Sequence, residues 1–231
     1  MWRDLACAPA ALSSPGIELV CTDDARVAPP GWCGVVVIGD AAVVVSPTDQ
    51  PESLTRLLES TSGPEALTDP RHVTQLAGPL EDALGPADLQ YGAVTASARS
   101  DVRGPLPPDD ALVDEVLHGA PAADLTESGF ADKSLSDLFV ASDDGRPVAI
   151  AGHRRWPHEV AHMGVLTLPD ARGRGFGRRA AQAAAGHATE LGLLVQWRSR
   201  WSNDASRHLG RSLGLHLSGR QFSFRLLPSR S

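Results

Sequence analysis

The chain has 231 residues, 42% of them hydrophobic, and a formal net charge of −7, enough apolar material for one large core or two small ones. Cys7, Cys21 and Cys33 show no metal-ligand spacing and their odd number argues against a disulfide framework. No apolar run approaches the ~20 residues of a membrane span, and Asp4 with the short run before Cys7 argues against a secretory leader, so a cytoplasmic protein without membrane or metal is expected. The charge is divided: residues 1–150 carry 8 basic and 24 acidic side chains, whereas residues 151–231 carry 13 arginines against Glu159, Asp170, Glu190 and Asp204. Such asymmetry suits one half to an anion and the other to a cation.

In chain order, residues 1–14 read as helical or frayed, and 17–21 as a short strand. Two apolar runs, 33–38 and 41–46, flank Gly39-Asp40 and read as a hairpin. A helix is expected over 51–60, with Pro51 in its first turn. Helical pieces over 71–77 and 80–84 are set off by Gly78-Pro79 and Gly85-Pro86, and 89–98 reads as a strand holding Tyr91, the only tyrosine. The run from Arg103 to Pro108 is a strong breaker. It divides an acidic α/β region of 1–104, suited to the acceptor side, from a domain of 105–231.

Beyond it, 109–117 reads as a helix with an acidic first turn, and 125–136 as helical or irregular. Strands over 138–141 and 147–152 are joined by Ser142-Asp-Asp-Gly-Arg146, a hairpin turn. An apolar strand from Val160 ends at Pro169, which cannot donate to a ladder. Phe176, Ala180, Ala183, Ala184, Ala188 and Leu191 then fall on one helical stripe. A strand over 193–198, a helix over 204–213 and a strand over 222–226 close the chain. The order implies a mixed α/β fold, antiparallel at first and with a parallel crossover around the glycine loop.

That loop, Arg172-Gly-Arg-Gly-Phe-Gly177, opens the helix. A helix start leaves backbone N–H groups without partners and carries partial positive charge. Glycine removes the Cβ atoms that would hold an anion away, and Arg172, Arg174, Arg178 and Arg179 add charged donors. Together they describe a phosphate or pyrophosphate cradle. The plainer alternative is a surface turn that only caps the helix. Nucleic acid is a weaker partner for the basic half, since its arginines do not alternate with aromatics.

The run Val165-x-Thr-x-Pro-x-x-Arg-Gly-Arg-Gly-Phe-Gly177 resembles motif A of the GNAT superfamily of N-acetyltransferases, whose core pattern is met by Arg172, Gly175 and Gly177. Trp197, Asn203-Asp-Ala-Ser206, Leu209 and Leu213-Gly-Leu215 resemble motif B, with Leu215 where an aromatic is usual. The Trp-x(5)-Asn-x-x-Ser pairing is similar to a bacterial branch related to antibiotic-resistance acetyltransferases with an extra N-terminal region. The resemblance covers roughly residues 135–228. It implies a twisted mixed sheet flanked by helices, preceded by a smaller α/β region. It also implies acetyl-CoA as co-substrate, an amine-bearing small molecule or peptide as acceptor, and a homodimer as a common assembly.

The resemblance further implies that the strand before the loop splays from its neighbour. Val165, Leu166 and Thr167 would then serve the acyl and pantetheine portion, and Gly173, Arg174, Gly175, Phe176, Gly177 and Arg178 the pyrophosphate. Asn203 and Ser206 would meet the far end of the pantetheine arm, although Asn203 also suits a simple N-cap. The tyrosine that the superfamily often uses as general acid falls at Gly210. Because a thiol titrates at about 8–9, its departure unassisted costs little. For the base, the position matching the superfamily's Glu is His162, with Glu159 as an alternative through a water. The plainer readings are a hydrogen-bonded strand residue and a solvated strand end. Two alternatives to the enzyme remain open: a non-catalytic acyl-CoA-binding module, and a nucleic-acid-binding protein.

Overall fold

Short β-branched and apolar runs bounded by glycine, proline and aspartate generate most of the strands, and the alanine stripe generates the longest helix. The computed structural model describes residues 1–48, 52–132 and 134–227; the first-turn role expected of Pro51 lies outside them. In chain order the elements are α1 (Trp2–Leu5), β1 (Gly16–Cys21), β2 (Cys33–Ile38), β3 (Ala41–Ser46), α2 (Glu52–Glu59), α3 (Pro70–Ala77), β4 (Leu80–Gly92) and β5 (Val102–Leu106). They continue with α4 (Ala111–His118), α5 (Ala122–Ser128), β6 (Ser136–Asp143), β7 (Arg146–Trp156), β8 (Val160–Thr167), α6 (Phe176–Glu190), β9 (Leu194–Arg200), α7 (Asp204–Ser212) and β10 (His216–Leu226). The mixed α/β class expected from the sequence is the class observed. None of the helices described is long and apolar enough to cross a membrane.

Two compact units emerge. The first comprises Met1–Leu89, Ser199–Arg207 and Leu217–Ser231, the second Gln90–Arg198 and His208–His216. In the first, the strand order is β1-β3-β2-β10-β4. β2 and β3 form the expected hairpin, with Val35 opposite Val44, and its turn uses Gly39 at φ 56°. β10 lies antiparallel to β2, pairing Phe222 with Val35 and Phe224 with Cys33. One face of these strands buries Val35, Val37 and Val44 against Leu54 and Leu57 of α2, Val73 of α3 and both phenylalanines. Asp69 caps α3 by accepting from Arg71 N–H at 2.9 Å.

In the second unit the strands follow the order β9-β8-β7-β6-β5. The β6–β7 hairpin turns at Asp144 and Gly145. α6 packs Phe176, Ala180, Ala181, Ala184, Ala185 and Ala188 on the face made by Ala149, Ala151, Ala161 and Met163. The opposite face carries Ile150 and Leu166, covered by Val113 and Val116 of α4 and by Phe130 and Leu135. Strand alternation therefore sends Ala161 and Met163 toward α6, and His162 to the other side. The boundary expected at 104/105 falls inside this unit.

Three local expectations are corrected. Residues 80–84 are strand rather than helix, as the start of β4. Five residues between Pro79 and Gly85-Pro86 cannot sustain an isolated helix, and sheet pairing satisfies their backbone instead. The strand expected over 89–98 stops at Gly92. The chain then runs along α6, where Val94 N–H donates to Thr189 Oγ1 at 3.0 Å. The breaker from Arg103 to Pro108 overlaps β5, which pairs Val102 with Ala141 and Leu106 with Leu138. As the last strand in its order, β5 tolerates a proline that a central strand would not.

Candidate functional site

β8 pairs with β7 along its whole length, from Val160↔Trp156 to Thr167↔Ala149. With β9 it pairs in parallel only at Val160↔Leu194, Ala161↔Val195 and His162↔Gln196. Past His162 the two strands part, so the β9-side backbone groups of Met163 to Thr167 lie outside that ladder. Backbone donors and acceptors seek partners wherever they are placed. A fork of this kind offers a docking edge to a ligand that carries amides.

At the far end of β8 a short 3₁₀ turn, Pro169–Ala171, leads into the glycine loop. Gly173 and Gly175 adopt φ 73° and 84°, values that any Cβ would strain, and Gly175 is the N-cap of α6. Arg179 N–H donates to Gly175 O at 3.1 Å, so the amides of Phe176, Gly177 and Arg178 precede the regular helical ladder. Gly177 is buried and sits where a Cβ would come 2.5 Å from Thr167 Oγ1, which brings the helix start against the end of β8.

The arginines serve a second purpose. Arg172 Nη2 donates to Asp124 Oδ2 at 2.6 Å, and its Nε to Thr167 O at 3.3 Å. Arg174 grips Asp143 through both guanidinium nitrogens at 2.7 and 3.0 Å, and Arg179 donates to Asp101 at 2.8 Å. Arg174 and Arg179 also stack over Phe176, 5.1 and 4.6 Å from its ring centre. Arg178 Nη2 reaches Ser212 O at 3.4 Å. Three of the four guanidinium groups are thus matched by carboxylates that hold the loop in shape.

At the fork, His162 and Gln196 are partners in both backbone register and side chain: Nδ1 of His162 lies 2.7 Å from Gln196 Oε1. Gln196 is fully buried, and its Nε2 donates to Tyr91 Oη at 2.7 Å. The imidazole stacks on Trp156, with centroids 4.5 Å apart and planes inclined by 13°. Burial above all, with Arg198 and Arg154 nearby, lowers the His162 pKa to about 4 against the partial support of Gln196. The ring is therefore neutral at pH 7. Tyr91 and Gln196 belong to this cluster although nothing in local sequence marks them. Their only signal is that Tyr91 is the sole tyrosine.

Glu159 lies in the β7–β8 turn at φ 55°, exposed, with its Oε2 2.6 Å from Arg155 Nη2. At Gly210 an added Cβ would come 2.0 Å from Gln90 Oε1 and 2.9 Å from a Trp197 ring carbon, so a larger residue there would require these side chains to move. Asn203 and Ser206 belong to the first unit. Asn203 Oδ1 accepts from Ser206 N–H at 2.9 Å, and its carbonyl accepts from Arg207 N–H at 3.1 Å, the geometry of an N-cap of α7. Ser206 Oγ lies 3.0 Å from Ser199 Oγ. Among the described residues no group of three or more His, Cys, Asp or Glu side chains is arranged for a metal.

A β-fork thus leads directly into a glycine-built helix start within the second unit. Residues 109–215 match the model of the Acetyltransferase (GNAT) family. It is similar to a GNAT-family acetyltransferase of Colwellia psychrerythraea, at 16% identity over 69% of this chain and 62% of that one, TM-score 0.48. A GCN5-related N-acetyltransferase of Kribbella flavida shares 19% identity over 69% and 64%, TM-score 0.46. A GCN5-related N-acetyltransferase-like protein of Streptococcus suis shares 16% over 79% and 71%, TM-score 0.46. This chain thus spans less than two thirds of the first two. No curated protein matches it.

Proposed function

We propose that the protein is an acetyl-CoA-dependent N-acetyltransferase that modifies a primary amine of a small molecule or peptide by direct attack in a ternary complex. The observation that carries this reading is the parting of β8 and β9 after His162, immediately ahead of the glycine cradle. Backbone groups of Val165, Leu166 and Thr167 would pair with the pantetheine arm, and the amides from Gly173 to Arg178 would receive the pyrophosphate. The amine nitrogen attacks the thioester carbon and forms the C–N bond. The C–S bond then breaks, and Nε2 of neutral His162 takes the proton lost by nitrogen. His162 is preferred to Glu159, whose carboxylate is exposed at a turn and held by Arg155. A thiolate leaving group needs little help near neutrality.

One observation favours a second reading. Glycine at position 210 removes the superfamily's usual acid and suits a module that binds acyl-CoA without turning it over. Release of free thiol from acetyl-CoA, followed over a panel of amines, separates the two. Turnover with any amine supports the enzyme; micromolar CoA binding with no turnover supports the module. The basic half is a poor surface for nucleic acid, because Arg172, Arg174, Arg179, Arg207 and Arg225 all face carboxylates.

A further inference from the structure

The cluster at the fork contains more than a base. His162 Nδ1 faces an amide oxygen, Gln196 Oε1, at 2.7 Å. An oxygen has no proton to give, so Nδ1 must carry the hydrogen and Nε2 must hold the lone pair. In this orientation the amide's other end, Nε2, donates to Tyr91 Oη at 2.7 Å, so both polar ends of the Gln196 side chain are partnered. His162 Nε2 has no hydrogen-bond partner among the described residues, while Trp156 covers one ring face. Arg154, opposite His162 on β7, is itself held by Asp132 and Ser134.

We infer that Gln196, held at its far end by Tyr91, is a positioning residue that fixes His162 as the Nδ1–H tautomer and presents Nε2 as the proton acceptor at the mouth of the β8–β9 fork. The inference rests on the reading of His162 as the base. It assigns a purpose to the single tyrosine and to a fully buried glutamine that an apolar residue would otherwise replace at less desolvation cost. Among the described residues, Arg154 on β7 and Arg198 on β9 are the charged groups that bear on the ring, and Tyr91 on β4 reaches it through Gln196. Both guanidinium groups disfavour imidazolium, which leaves Gln196 as the neighbour that supports it.

Four variants of the 231-residue chain test this. Long-range ¹H–¹⁵N correlation, with His162 assigned by its loss in His162→Asn, reads the tautomer without any turnover. The wild type should show a protonated Nδ1 and an unprotonated Nε2. Gln196→Leu should lose that preference and lower kcat by about 10–100-fold, the range seen when a metal-ligating histidine loses its outer partner, with the acetyl-CoA KM within about twofold of wild type. Gln196→Glu restores an acceptor at Nδ1 and should keep the tautomer. Its added charge should also move the acid limb of the kcat/KM profile upward by about one pH unit or more. Should Gln196→Leu fail to fold, Tyr91→Phe, which removes only the hydroxyl, should show a partial loss of tautomer preference and a smaller fall in kcat. A wild-type Nε2–H tautomer overturns the inference, as does a folded Gln196→Leu with unchanged kcat and pH profile. If His162→Asn retains full turnover, the base reading itself fails and takes this inference with it. If His162→Asn is inactive while Gln196→Leu is not, only the inference falls.

Discussion

A histidine whose pKa is lowered to about 4 behaves differently from an exposed one in both activity and stability. Turnover that requires the neutral ring should persist well below pH 6.5, the ordinary histidine value, and its acid limb in kcat/KM should fall near pH 4. A limb near 6.5 would remove His162 from the role, and His162→Asn should lower kcat by about 10²–10⁴-fold. The stability effect arises through linkage. Between about pH 6.5 and 4 the unfolded chain protonates this histidine while the folded one does not, so the unfolding free energy drops as pH falls through that window and levels off beneath it. His153 acts in the same sense: it is buried, its pKa is lowered mainly by desolvation, and its Nε2 lies 3.4 Å from Asp137. Urea titrations of wild type and His162→Asn at pH 7 and pH 5 isolate the first contribution. The wild type should lose more stability than the variant on acidification, and equal losses would contradict the burial of His162.

Two glycines of α6 look alike in sequence and do different things. At Gly177 an added methyl meets Thr167 Oγ1, a side-chain atom that one rotation about χ1 can move, at the point where the helix start and the end of β8 approach. Gly177→Ala should leave the melting temperature nearly unchanged while weakening CoA binding by about tenfold, or about 1.4 kcal/mol, in calorimetric titration. At Gly186 the methyl would lie 2.4 Å from Ala96 Cα and 2.7 Å from its nitrogen, so backbone has to move. Gly186→Ala should cost about 1–3 kcal/mol of stability and leave CoA affinity as it was; the reverse assignment of the two effects would refute the distinction. Element legibility divides on similar lines. β2, β3, β8 and α6 are readable because each carries its own period and its own stop signal. β5 reads as a breaker because Gly104-Pro105 and Pro107-Pro108 outweigh three ordinary residues, whereas an edge position forgives proline. The glycine loop is legible because its backbone requirement is written in its residues. The His162–Gln196–Tyr91 chain is not, because it joins three strands separated by up to 105 positions, and register alone brings them together.

The chain's path through the molecule decides whether its C-terminal part can stand alone. Residues 199–207 and 217–231 are grouped with the first 89 residues, not with the segment that holds the glycine loop. Within that unit Phe222 and Phe224, both without solvent exposure, pack with Val35, Val37, Leu54 and Leu57, and β10 takes its antiparallel ladder from β2. Asp88, 7% exposed, receives Arg207 Nε and Trp201 Nε1, each at 2.9 Å, and Gln221 Nε2 donates to Val27 O at 2.8 Å. A chain cut to residues 105–231 keeps β10 and the start of α7 but loses every one of these partners. Exposing two phenylalanines costs about 1.5–3 kcal/mol each, and an unpaired strand edge invites association. Against a total domain stability of about 5–15 kcal/mol, such losses leave little margin. Residues 105–231 should therefore aggregate or elute as a heterogeneous species in size-exclusion chromatography, with a loss of CoA binding that accompanies unfolding. Adding Phe222→Ser and Phe224→Ser should improve solubility without restoring the ladder. A monodisperse 105–231 fragment with the thiol-release rate of the full chain would show that the first 104 residues are dispensable, and that β10 finds its stability elsewhere.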